Sequence, residues 1–233
     1  MPRTPTYSAI LFDLDGTLID SAACIVECFQ IACVEHGLAA PQPHEVRATM
    51  GIPLERSMPA HAARLGTTLS APQVQDMITT YRSHYARLTP SLVRPFDGVR
   101  EMLDACRAMG VPMAIVTSKR VGPAEMNLRH VGFLEHFATI VGSDQVLRYK
   151  PEPDTVLIAA ERMNITDLST ALVVGDATFD IHMGQAAGAK TCAATWGAHD
   201  RAELLASRPD HVIESPSELL SVLARGATVK PTT

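Results

Sequence analysis

No stretch of this chain stays apolar for the roughly 20 residues that a membrane-crossing helix needs, and the opening residues MPRTPTYS hold no apolar signal core. The expectation is a cytoplasmic protein with no membrane partner. Basic residues are short as well: 20 Lys and Arg stand against 25 Asp and Glu, a net charge of -5. That balance argues against a nucleic-acid partner, which needs a basic face. It leaves room for a small anionic substrate at a locally positive site. The five cysteines, Cys24, Cys28, Cys33, Cys106 and Cys192, are odd in number and lack CxxC spacing. Neither a disulfide framework nor a zinc site follows. Cys24 and Cys28 stand one helical turn apart, where thiols ordinarily serve as small core residues. The nine histidines are scattered, and residues 21 to 92 contain no lysine.

What is there suits a globular protein, with 46% hydrophobic and 19% charged residues. At 233 residues the chain can form one large domain or a domain carrying an insertion. After the apolar run Ile10 to Phe12, apolar residues recur at Ile25, Cys28, Phe29, Ala32 and Cys33, the stripe of an amphipathic helix that Gly37 would end. Val74, Met77, Ile78, Tyr81 and Tyr85 repeat that stripe behind a candidate N-cap, Ser70. From Pro95 onward, short β-rich runs at 111–118, 137–143, 170–176, 190–196 and 210–214 alternate with helical stretches. Pro153 and the pair Ser215-Pro216 mark helix starts. This alternation predicts an α/β fold, a doubly wound parallel sheet with helices on both faces. The helical block after the first strand is too long for a loop. It is expected to be an inserted all-helical domain, residues 21–92, on a core of residues 1–20 and 93–225, with hinges near Leu18–Ser21 and Pro90–Pro95. The tail 226–233 is expected to be disordered.

One stretch raises a chemical question. ILFDLDGTLIDS, Ile10 to Ser21, carries two aspartates one residue apart, and strand alternation would point Asp13 and Asp15 the same way. Two like charges held that close need something positive or reactive between them. In a doubly wound sheet, ligands bind outside the carboxyl ends of the strands. The run ends there bring Asp13 and Asp15, Thr117 and Ser118, Lys150, and Asp176 with Asp180 toward one rim. Each also has a purely structural reading. Asp15-Gly16 can simply make a turn, Thr117 can cap a helix, Lys150 can be a solvated charge, and Asp180 can answer a helix dipole. Asp20 and Ser21 can cap the first helix of the insertion.

Taken in order, DLDGT, the strand ending in TSK, Lys150-Pro151 and GDATFD resemble the four motifs of the haloacid dehalogenase-like hydrolase superfamily, in its phosphatase branch. The closing TWGAHDRAELLASRPDHVIESPSELL is similar to the phosphoglycolate phosphatase-like group. The resemblance implies a Rossmann-like core with an inserted helical cap. It also implies a phosphatase acting on a small phosphorylated metabolite, as a monomer or homodimer. Asp13 would be the nucleophile that forms an aspartyl-phosphate, and Asp15 the general acid and then base. Mg²⁺ would be held by Asp13, the Asp15 backbone carbonyl and Asp176, with Asp180 a ligand through water or a support. Lys150, Thr117 and the Ser118 N–H would bind the phosphoryl group. In the cap, Gly51 would lie on a loop facing the core, with Arg47 and Arg56 as partners for a substrate carboxylate. Asp15 separates this chain from dehalogenases, whose halide leaving group needs no proton. A sugar phosphomutase, a pyrophosphatase or nucleotidase on the same core, and a noncatalytic binding protein are the alternatives. Leu54, where similar phosphomutases carry arginine, favours the phosphatase.

Overall fold

In the computed structural model, which describes residues 6–224, Ala9–Phe12 forms strand β1 with all four side chains buried. A strand covered on both faces has no polar side, and alternate β1 residues enter opposite cores. Ile10 and Phe12 join one cluster, Ala9 and Leu11 the other. The chain then makes a two-residue strand β2 (Ile19–Asp20). Helices α1 (Ala22–Glu35), α2 (Pro43–Arg47), α3 (Leu54–Arg64) and α4 (Ala71–Leu92) follow, and β3 (Arg94–Pro95) closes the block by pairing antiparallel with β2.

Both predicted stripes face inward. Cys28, Phe29, Ala32 and Cys33 of α1 and Val74, Met77, Ile78, Tyr81 and Tyr85 of α4 are buried, with Ile25 partly so. Gly37 follows α1 at φ +75, a left-handed conformation open to glycine. Ser70 caps α4 with Gln73, whose Oε1 accepts the Ser70 N–H at 2.9 Å. The second hinge is shorter than expected. Pro90 lies inside the last turn of α4, where its missing N–H forfeits a single helical bond. The two crossings therefore meet as the β2–β3 pair. All five cysteines are buried, as core thiols are.

The rest alternates: α5 (Val99–Ala108), β4 (Met113–Val116), α6 (Val121–Val131), β5 (Thr139–Val141), α7 (Asp154–Arg162), β6 (Ala171–Gly175), α8 (Thr178–Ala186), β7 (Lys190–Ala194), α9 (Arg201–Ala206), β8 (His211–Ile213) and α10 (Glu218–Ala224). The six long strands pair in parallel in the order β5-β4-β1-β6-β7-β8. Strand order reverses between β1 and β6, so the crevice beyond their carboxyl ends is where a ligand is expected. Among the described residues no helix is long and apolar enough to cross a membrane. The tail 226–233 lies outside the described residues.

Candidate active site

Asp13 begins where β1 stops. Its N–H still donates to Val174 O (2.9 Å), which fixes the backbone against β6, and its side chain turns into the crevice between them. Lys150 arrives from the loop before α7, and its Nζ lies 2.6 Å from Asp13 Oδ1 and 2.6 Å from Asp180 Oδ1. The lysine is 8% exposed, so it is no solvated charge. Asp176 follows β6. Its Oδ1 accepts from Thr17 Oγ1 (2.9 Å) and its Oδ2 from the Ala198 N–H (3.1 Å). Asp180 does two things at once: Oδ2 accepts the Ala177 N–H (3.0 Å) at the start of α8, while Oδ1 holds Lys150. The helix-terminus reading and the support reading of Asp180 are therefore the same geometry.

The carboxylates of Asp13, Asp176 and Asp180 are all buried, with one oxygen of each within 4.8 Å of the others. Three carboxylates against the Lys150 ammonium leave two negative charges out of water. The strain shows in their protonation. Burial pushes Asp13 up to about 7, against the pull of Lys150 and with Asp180 adding to the push. Burial, then Asp180 and Asp13, hold Asp176 well above the usual carboxylate range. Burial works against the Lys150 ammonium, but Asp13 and Asp180 outweigh it and keep it protonated. Hard oxygen donors with an excess of two charges suit a divalent cation. The backbone is cleared for the cluster, since a Cβ at Gly16 or Gly197 would overlap the Asp176 carboxylate.

Asp13 and Asp15 border the same cavity, as the alternation predicts, although neither is part of the strand. Both aspartates lie beyond the end of β1, and Gly16, at φ +90 with its N–H on Ile19 O (2.9 Å), turns the chain back at once. The turn reading of Asp15-Gly16 is thus also correct. Lys150 holds Asp13 and Asp180, whereas Oδ1 of Asp15 accepts from Lys119 Nζ (2.8 Å) and from Ser21 Oγ. Ser21 stands at the N-cap of α1 but makes no cap bond there; Asp20 Oδ1 accepts the Ala22 N–H instead (3.2 Å). Lys119 Nζ also donates to the Tyr85 hydroxyl of α4 (2.8 Å), and Asn127 Nδ2 of α6 does the same (2.9 Å). Lys119 was visible in the TSK motif without an assigned role. Ser21, Tyr85 and Asn127 carried no sequence signal toward Asp15.

Thr117 is not the cap of α6. Its Oγ1 accepts the Lys119 N–H (3.2 Å), Arg120 occupies the N-cap position, and Asp144 Oδ1 takes the Val121 N–H (3.0 Å). Ser118 Oγ is buried without a hydrogen-bond partner among the described residues. Asp13, Asp15, Thr117 and Ser118 border a cavity of about 230 Å³ whose opposite wall is the helical block. Gly51 lines it, as expected. Arg47 and Arg56 do not: both are exposed and absent from the wall. Each follows a wall residue, Val46 and Glu55 respectively, and one helical step of about 100° carries it off that face. Two further residues contact the segments around the site. Trp196 Nε1 donates to Thr17 O (3.0 Å), and the ring of His199, packed edge-on to Phe179, has Nε2 3.3 Å from Met50 O.

A family model described as "Haloacid dehalogenase-like hydrolase" matches residues 10–194. An N-acetylmuramic acid 6-phosphate phosphatase of Pseudomonas aeruginosa is 33% identical, over 93% of this chain and 95% of its own. A pyrophosphatase of Bacillus velezensis is 32% identical, over 92% of this chain and 95% of its own. Among solved structures, a predicted phosphoglycolate phosphatase of Haemophilus somnus superposes with a TM-score of 0.85 over 93% of this chain and 98% of its own. At 22% identity that likeness speaks for the fold alone.

Proposed function

This chain belongs to the haloacid dehalogenase-like hydrolase family, and we propose that within it the protein is a Mg²⁺-dependent phosphatase of a small phosphomonoester, working through an aspartyl-phosphate. The observation that carries this reading is the buried cluster of three carboxylates, Asp13, Asp176 and Asp180, beside the single ammonium of Lys150, an excess of two negative charges when all are ionised, which a divalent cation would balance. Asp13, Asp176 and the Asp15 backbone carbonyl would hold the ion. When bound, it would supply positive charge that lets an anionic nucleophile approach an anionic phosphate.

The protein's own residues divide the remaining work. Thr117, the Ser118 N–H and Lys150 bind and orient the phosphoryl oxygens, and the unpartnered Ser118 Oγ is a further donor in that wall. An oxygen of Asp13 attacks phosphorus, the bond to the leaving oxygen breaks, and Asp15 gives that oxygen its proton. Water then attacks the phosphoryl group on Asp13 while Asp15 takes the water's proton, and Asp13 is regenerated with release of phosphate. Lys119 and Ser21 both bond Oδ1 of Asp15, which leaves Oδ2 as the oxygen that exchanges the proton. Residues 21–92 serve as the cap over a core of residues 1–20 and 93–225, closing the cavity against water.

The test is phosphate release together with labelling by acetyl phosphate. The native protein with Mg²⁺ should acquire phosphate on Asp13, as located by mass spectrometry, and Asp13→Asn should acquire none. Label on another residue in Asp13→Asn would overturn the nucleophile assignment.

A further inference from the structure

The cavity wall opposite the phosphate end is built mainly from apolar side chains: Ile25, Phe29, Val46, Met50, Ile52 and Leu54. Among the described residues three cations line the cavity, and each already has a carboxylate. Lys119 Nζ is 2.8 Å from Asp15 Oδ1, Arg82 3.1 Å from Glu55 Oε1, and Arg120 Nε 3.6 Å from Asp144 Oδ2. Glu55 and Arg82 are both wall residues of the helical block, so that wall carries no net charge. Arg47 and Arg56, the other arginines near it, point elsewhere, as described above.

A leaving group bearing its own carboxylate or second phosphate would therefore enter without a free cation to meet it. Bringing an unpaired anion against apolar side chains is strongly unfavourable, and displacing Glu55 from Arg82 would only leave Glu55 unpaired in its place. Uncharged polar groups are better served. The Thr49 hydroxyl donates to Val46 O (2.8 Å) and so keeps lone pairs for a donor, and the Ser57 hydroxyl lines the same wall. The volume, about 230 Å³, lies below the range of about 300–1,000 Å³ usual for drug-sized ligands and suits a small alcohol.

We infer that this enzyme selects phosphomonoesters of uncharged, partly apolar alcohols, with the Glu55–Arg82 pair keeping the wall neutral, over esters whose leaving group carries a carboxylate or a second phosphate. The inference rests on the phosphatase reading above. It is directed against phosphoglycolate and pyrophosphate as preferred substrates.

A matched pair of substrates tests it without any variant: benzyl phosphate and 4-carboxybenzyl phosphate share a body and differ by one charge. With purified native protein and Mg²⁺, kcat/KM should be at least about tenfold higher for benzyl phosphate, with the difference mainly in KM. Phosphoglycolate and pyrophosphate should fall below both benzyl phosphate and 2-hydroxyethyl phosphate. Glu55→Gln frees Arg82 and should narrow the benzyl to carboxybenzyl ratio several-fold. Equal or better turnover of the carboxylated ester, or of phosphoglycolate or pyrophosphate, overturns the inference while leaving the phosphatase reading intact. A ratio unchanged in a folded Glu55→Gln overturns the role of the pair. Absence of both phosphate release and Asp13 labelling by acetyl phosphate overturns the phosphatase reading, and this inference with it.

Discussion

Lys119 Nζ lies 2.8 Å from Asp15 Oδ1 and, in the same position, 2.8 Å from the hydroxyl of Tyr85 on α4. One ammonium therefore ties the proposed acid–base residue of the core to the helical block that covers it. Its side chain is 13% exposed, so water screens the pair only in part. The expectation is that Lys119→Gln, which removes a positioning partner and leaves Asp15 in place, lowers kcat by about 10- to 100-fold, up to the lower end of the roughly 10²- to 10⁴-fold that general acid–base catalysis contributes. Tyr85→Phe, which keeps the ring and loses the hydroxyl, should lower it less. The two effects should combine to less than their product in a double-mutant cycle, because both remove the same tether. Fully multiplicative effects would show that Tyr85 does not act through Lys119.

Gly16 is a second point of leverage. Its φ of +90 and the overlap of any Cβ with the Asp176 carboxylate leave no room for a side chain. Gly16→Ala should cost about 1–3 kcal/mol of stability from backbone strain alone. It should also weaken Mg²⁺ binding, since Asp176 must move. Thermal melts with and without Mg²⁺ separate the two, and an unchanged Mg²⁺-induced shift would mean that Asp176 is not a ligand.

The crowded carboxylates make a pH prediction for metal-free protein. Asp13 is raised to about 7 and Asp176 is raised well above its ordinary value, both by burial first. A raised carboxyl contributes stability that is present below the ordinary carboxylate range and is lost as pH rises through the folded value. Thermal stability in chelator should therefore fall between about pH 4 and somewhat above 7, and Mg²⁺ should restore it. A metal-free Tm that rises over that window would refute the reading.

Replacing Asp176 with asparagine tests the same crowding by subtraction. The amide can keep both contacts if the Thr17 hydroxyl reverses its role, and one buried charge disappears. In chelator at pH 8, Asp176→Asn should be more stable than native by about 1 kcal/mol or more, roughly 2–4 °C for a chain of this size. It should also lose stabilisation by Mg²⁺. A less stable variant under those conditions would mean that the hydrogen bonds of Asp176 outweigh its charge.

Ion size gives a further prediction. Mg²⁺ demands near-octahedral ligation at about 2.0–2.1 Å, whereas Ca²⁺ accepts six to eight oxygens at about 2.3–2.6 Å. The larger ion can take both Asp13 oxygens and so misplace the nucleophile, an error that can lose about 10²-fold in rate. Ca²⁺ should compete with Mg²⁺ yet support little turnover. Steady-state rates over a matrix of the two ions decide it, and full activity with Ca²⁺ alone would refute it.

Much of the fold was legible in the sequence because its signals are local. A strand buried on both faces must be a short apolar run, and an amphipathic helix must repeat its stripe, so β1, β4 to β8, α1 and α4 could be read residue by residue. The main acidic and basic residues were legible for a related reason. In a parallel sheet, whatever follows a strand's carboxyl end reaches the rim, and Asp13, Thr117 and Asp176 each follow one directly.

What the tertiary structure alone decided are pairings between distant segments and the phase of exposed residues. Lys119 meets Asp15 across 104 positions and Tyr85 across 34, and Trp196 reaches Thr17 across 179. No periodicity encodes such meetings, because they depend on how α4 and the post-strand loops pack over the rim. Arg47 and Arg56 are the converse case. Their chemistry suited a substrate anion, but a side chain one helical step from a buried neighbour faces solvent. Local pattern determined which residues the rim would hold; packing determined which of them, and which others, face the cavity.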